Sequence, residues 1–148
     1  METYLIFTDG ASRGNPGPAS AAFIIKDSAG NLRLKCGNFL GIQTNNYAEY
    51  QAVLLALQKS AEVLTPAASC SLKFFLDSNL VVNQLSGKYQ IKNPRLTTFA
   101  AQIKNLENKF ANVEYNYIPR SQNKEADKLA NLCLDKADGR TQTNFKSS

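Results

Sequence analysis

The apolar pattern of this chain changes period near Tyr47, and that change limits the folds open to it. Before it, residues 3–8, 20–26 and 32–40 are short β-branched and aromatic runs of the kind that make buried strands. Ser28-Ala29-Gly30-Asn31 is hairpin-turn chemistry between the second and third runs. Residues 9–18, rich in glycine and proline, read as a loop after the first. Three antiparallel strands are therefore expected to open the domain. From residue 47 to 64 strong helix formers dominate and apolar residues recur at helical spacing. Asn46, followed three residues later by Glu49, fits a capping box at the start of that helix. Strands at 71–76 and 113–118 then alternate with helices near 78–86, 96–110 and 124–136. This order predicts an α/β fold, a sheet of mixed strand direction with helices on both faces. Ligand sites in such sheets lie beyond the carboxyl ends of the strands.

The 148 residues show no repeat and no linker, so one domain is expected over residues 1–137, with a flexible polar tail at 138–148. A domain of this size buries roughly 68–70% of its unfolded surface and needs no disulfide or zinc to hold it. Cys36, Cys70 and Cys133 are odd in number and scattered, which reads as reduced, buried thiols. The chain has no histidine. That excludes a Ser-His-Asp or Cys-His nucleophile and any imidazole general base. No apolar run reaches the ~18 residues of a membrane span, and Met1-Glu2-Thr3 does not open a secretory leader. A cytoplasmic location without a membrane partner is the expectation.

Four acids fall at the ends of the expected elements. Asp9 closes the first strand and Asp77 the fourth, while Glu49 and Asp127 sit in the first turns of the long helix and the last one. Each alone has an ordinary use. Asp9-Gly10 is turn chemistry, Glu49 completes a capping box, Asp77 could cap the short helix, and Asp127 suits a helix N-terminus. Together they could converge on one sheet edge, where they would repel unless cations neutralised them. An oxygen-only ligand set suits Mg²⁺ or Mn²⁺.

The motifs around these acids are more specific. Residues 8–18, Thr-Asp-Gly-Ala-Ser-Arg-Gly-Asn-Pro-Gly-Pro, closely resemble the opening signature of the type 1 ribonucleases H. The likeness continues in order through Thr44-Asn45-Asn46-Tyr47-Ala48-Glu49, Asp77-Ser78-Asn79-Leu80-Val81 and Asn123-Lys124-Glu125-Ala126-Asp127. The resemblance implies a ribonuclease H-like five-stranded sheet, three antiparallel strands followed by parallel ones. It also implies hydrolysis of the RNA strand of RNA–DNA hybrids with two Mg²⁺ ions, Mn²⁺ being a substitute, and 5′-phosphate and 3′-hydroxyl products. Asp9, Glu49, Asp77 and Asp127 would hold the metals. Ser12, Gly14 and Asn15 would lie along the RNA strand, Thr44 and Asn45 along the DNA strand, and Asn46 and Asn79 in the minor groove. A monomer is the expected form.

The chain departs from that pattern in two places. Many members carry a histidine on the loop before the last helix; here the loop is Pro119-Arg120-Ser121-Gln122, and Arg120 stands in its place, as in the short, archaeal-like branch. The long basic, Trp-rich protrusion of well-studied members is also missing. Residues 86–95 offer only Lys88, Lys92 and Arg95 as groove cations. The net charge of +5 comes from 17 basic and 12 acidic side chains. Setting the four acids aside leaves 17 cations against eight acids, a balance of +9 that suits a polyanion. A nuclease domain of a reverse transcriptase and an inactive nucleic-acid-binding module are the alternatives. The presence of all four acids argues against the second.

Overall fold

The computed structural model describes residues 2–137; the expected tail at 138–148 lies outside them. Strands β1 (Glu2–Ser12), β2 (Gly17–Asp27) and β3 (Leu32–Gln43) form an antiparallel meander. β4 (Cys70–Leu76) and β5 (Asn112–Tyr117) add in parallel on the other side of β1. The five-stranded order is β3-β2-β1-β4-β5, as the mixed-sheet expectation requires. β1 is thus the central strand, flanked by both halves of the sheet.

Helices α1 (Asn45–Val63), α2 (Asn79–Leu85) and α3 (Pro94–Glu107) contribute to the larger core, and α4 (Lys124–Ala137) packs on the opposite face. The period-2 pattern of β1 explains the division. Tyr4 and Ile6 join Phe23, Tyr50, Leu57, Leu72 and Phe74 in the larger core. Phe7 and Ala11 pack against Ala22, Ile24, Ala126, Leu129 and Ala130 under α4. Each fully buried Leu or Ile contributes roughly 1.5–3 kcal/mol, so the larger core dominates stability while α4 is held by a thinner, alanine-rich layer. All three cysteines are buried, and none forms a disulfide among the described residues. No helix among the described residues is long and apolar enough to cross a membrane.

Several local expectations need correction. The glycine- and proline-rich run after residue 8 is mostly strand: Asp9, Gly10, Ala11 and Ser12 pair with Ala22, Ala21, Ser20 and Ala19. The turn is confined to residues 13–16, closed by the Arg13 amide donating to the Pro18 carbonyl at 2.8 Å. Asp9 therefore lies inside β1 rather than at its end. The parallel pairing with β4 stops at Phe7 opposite Phe75, so Asp9 sits where the β4 side of the strand opens. Thr44, not Asn46, caps α1, accepting the Tyr47 amide at 3.2 Å. Glu49 consequently falls in the second turn and completes no capping box. Ser78, not Asp77, caps α2, accepting from Val81 N at 3.3 Å. Asn93 caps α3 and accepts from both Arg95 N and Leu96 N, so that helix begins two residues earlier than its apolar pattern suggests.

Candidate active site

Gly10 brings the first two acids together. A β-carbon there would lie 2.3 Å from the carbonyl carbon of Ala48 and 2.3 Å from the amide nitrogen of Glu49. Only a hydrogen fits, and α1 therefore rests directly on the backbone of β1. The Gly10 amide donates to Glu49 Oε1 at 3.1 Å. Asp77, just past the end of β4, supplies the third carboxylate. One oxygen from each of Asp9, Glu49 and Asp77 lies within 4.8 Å of the others.

Two of these acids are almost wholly buried, Asp9 at 5% exposure and Glu49 at 6%. Burial, then the charges of Glu49, Asp77 and Asp127, push the Asp9 carboxyl up to about 10. Burial and then Asp77 push Glu49 up to about 8, although the Gly10 amide, the Asp9 carboxyl and the Arg120 cation favour its charged form. Glu49 Oε2 is buried and has no hydrogen-bond partner. An orphaned oxygen among acids that resist ionisation is a poor arrangement for the bare protein. It fits a hard divalent cation, whose charge would reverse both penalties.

Asp127, on the first turn of α4, stands beside this trio rather than within it. Its Oδ1 accepts from Arg120 Nη2 at 3.0 Å and from Asn131 Nδ2 at 3.4 Å. Asn131 also reaches the Asp127 carbonyl at 2.9 Å, one turn back along the helix. Between Arg120 and Asp127 lies Asn123, 1% exposed, whose Nδ2 donates to Asp77 Oδ2 and to the Thr8 carbonyl, both at 2.8 Å. Residues 120–122 form a single 3-10 turn, so the segment carrying Arg120 has regular structure.

A cleft of about 390 Å³ opens over the trio. Of the residues singled out in the sequence, Asp9, Ser12, Asn45, Asn46, Glu49, Asp77 and Arg120 line it. Ser12 Oγ donates to the carbonyls of Gln43, at 3.1 Å, and Gly14. Asn15 Oδ1 accepts the Asn45 amide at 2.9 Å, tying the β1–β2 turn to the start of α1. Gly14, with φ at 101°, takes the left-handed conformation that this turn needs. Asn79 opens α2 beyond the cleft lining, its carbonyl and Oδ1 accepting from Asn83 Nδ2.

The expected groove cations lie away from that lining. Lys88 and Lys92 are exposed in the segment between α2 and α3. Arg95 lies over the Tyr47 ring at 4.0 Å, and Tyr47 meets Phe99 edge-on. Sequence reasoning passed over Arg13, Asn123 and Asn131. Arg13 lines the cleft and pairs with Asp135 at 2.6 Å. Nothing in its local sequence points to a partner on α4.

Residues 7–133 match the reverse transcriptase-like family. Among curated relatives, ribonuclease HI of Halobacterium salinarum is 35% identical over 131 residues, covering 88% of this chain and 64% of its own. A bifunctional protein of Mycobacterium tuberculosis is 34% identical over 134 residues, covering 90% of this chain but 36% of its own. The chain thus spans about a third of the mycobacterial relative and under two thirds of the haloarchaeal one. Among solved structures, a compost-derived ribonuclease H1 in complex with an RNA/DNA hybrid superposes with a TM-score of 0.86 at 36% identity. That match covers 90% of this chain and 98% of the other. The chain belongs to the reverse transcriptase-like family, and its fold is that of the type 1 ribonucleases H.

Proposed function

We propose that this protein is an endonuclease that hydrolyses the RNA strand of RNA–DNA hybrids with the help of two Mg²⁺ ions, for which Mn²⁺ can substitute. The observation that carries the reading is the trio Asp9, Glu49 and Asp77, two of them buried, with oxygens within 4.8 Å and an orphaned Glu49 Oε2. Asp9, Glu49 and Asp77 would hold the ions, with Asp127 contributing a fourth carboxylate from α4. The bound ions would lower the pKa of the attacking water and stabilise charge on the leaving 3′ oxygen.

The remaining roles belong to the chain itself. Ser12, Gly14 and Asn15 follow the RNA strand, where a 2′-hydroxyl is the group that separates RNA from DNA. Thr44 and Asn45, at the amino end of α1, offer a terminus suited to phosphate, and Asn46 and Asn79 reach toward the minor groove. Arg120 is a fixed cation beside the scissile phosphate, because a guanidinium cannot exchange protons near neutral pH. Lys88, Lys92 and Arg95 supply long-range attraction to the DNA backbone. A cytoplasmic monomer goes with this reading.

The direct experiment is cleavage of an end-labelled RNA–DNA hybrid with and without Mg²⁺, beside single-stranded RNA and double-stranded DNA controls. Mg²⁺-dependent cutting of the hybrid's RNA strand, leaving 5′-phosphates, is expected. Tight hybrid binding without cleavage would replace the enzyme with a binding module.

A further inference from the structure

We propose that Asn123 is a positioning residue for the acidic centre, holding Asp77 in register with Asp9 through one buried side-chain amide. The residue is 1% exposed and lies where the 120–122 turn hands over to α4. Its Nδ2 donates to Asp77 Oδ2 at 2.8 Å and to the carbonyl of Thr8, the residue before Asp9, at 2.8 Å. Its backbone nitrogen donates to the Arg120 carbonyl at 3.0 Å, and its own carbonyl accepts the Asp127 amide at 3.1 Å. One residue thus links the β1 backbone, the acid after β4, the Arg120 turn and the first turn of α4.

The chemistry of the side chain explains why an amide is needed there. Both protons of Nδ2 are used, one on a carbonyl and one on a carboxylate, and a carboxylate in its place would have none to give. The bond to Oδ2 fixes the rotation of the Asp77 side chain, which leaves the strand in an irregular stretch with no regular hydrogen bonding of its own. Asp77 Oδ1 accepts no hydrogen bond among the described residues, so it is the oxygen available to a cation. Partners that orient a metal ligand in this way are typically worth about 10–100-fold in metal affinity or activity.

This inference rests on reading the acids as a metal centre, and its test separates the two. Mg²⁺ and Mn²⁺ binding to the protein alone, without nucleic acid, is measured by titration calorimetry for wild type and Asn123→Ala. Thermal unfolding in EDTA establishes that each variant is folded. The expected result is wild-type binding and, in the variant, an affinity about 10–100-fold weaker. In cleavage assays the half-activating Mg²⁺ concentration should rise by a similar factor, with the KM for hybrid nearly unchanged and most of kcat recovered at saturating metal. A merely structural role would lower stability without moving the metal dependence. Should Asn123→Ala fail to fold, Asn123→Ser, which keeps one donor, is read in the same way. Folded variants with wild-type metal affinity would overturn the inference, as would failure of both variants to fold in EDTA. No cation binding by wild type would instead overturn the metal-centre reading itself.

Discussion

Arg120 Nη2 donates to Asp127 Oδ1 across 3.0 Å, so the cation standing where many relatives carry histidine is already bound to one of the acids. The pair is open to water, with side-chain exposures of 76% and 28%, and its stabilisation is at most about 1 kcal/mol. The pair can therefore open at little cost. Arg120→Ala should lower kcat about tenfold, or ~1.4 kcal/mol in barrier. The loss should be constant from about pH 6 to 9, where a guanidinium does not titrate. A pH–rate profile checks it; full activity, or a defect that varies steeply with pH, would count against the assignment.

Removing the central acid tests the electrostatics. The folded-state pKa values of Asp9 and Glu49 lie above their ordinary ones, so folding favours the protonated forms. Their contribution to stability is fully present below about pH 4 and is lost as pH rises through the folded values, near 8 and 10. In EDTA, then, Tm should fall between about pH 5 and 9, and Mg²⁺ should remove most of that fall. Asp9→Asn should flatten the metal-free profile, raise or maintain Tm at pH 8 and abolish cleavage. Turnover within tenfold of wild type would remove Asp9 from the centre.

Gly10→Ala places a methyl group against backbone that has no room for it. Either β1 or α1 must shift, at a cost of about 1–3 kcal/mol or more. Because the same contact sets the distance from Asp9 to Glu49, activity should fall further than stability. Denaturant unfolding and kcat measured on the same preparation separate the two effects.

Among the groove cations, all of them exposed, Arg95 should matter most, since its guanidinium stacks on Tyr47 and is held in place. A cation–π contact at an exposed site is worth about 0.5–1 kcal/mol. Arg95→Ala should raise KM more than either lysine change, and Tyr47→Leu should reproduce part of the rise. Replacing all three cations should raise KM well beyond any effect on kcat and make the salt dependence of binding shallower. An unchanged KM at physiological salt would show that the hybrid lies elsewhere.

Much of the fold was legible because the apolar period announces it: residues 3–8 as strand, 47–64 as helix, and the βα alternation afterwards. The errors fell where local chemistry has two uses. Glycine and proline after Thr8 suggest a turn, yet Asp9 to Ser12 continue as strand because β2 supplies a partner for each of them. Thr44 and Asn46 are both good helix caps, and choosing between them moved Glu49 from the first turn to the second. That Asp9, Glu49 and Asp77 meet was readable from the motifs that carry them, while Asp127, expected with them, stands beside them. Asn123 was not readable, because an asparagine before a helix reads as an ordinary cap. Its side-chain partners lie 46 and 115 residues away in sequence, beyond the reach of any local pattern.

The trio and the acid beside it come from distant parts of the described chain, Asp9 from the first strand and Asp127 from the last described helix. A ribosome that has completed all five strands has still not made α4, and with it Asn123's neighbour Asp127 is missing. A nascent chain that has formed its sheet therefore still lacks the acid that stands beside the trio. In the order of synthesis, Asp9, Glu49 and Asp77 are all in place in the chain before the helix that brings Asp127 beside them.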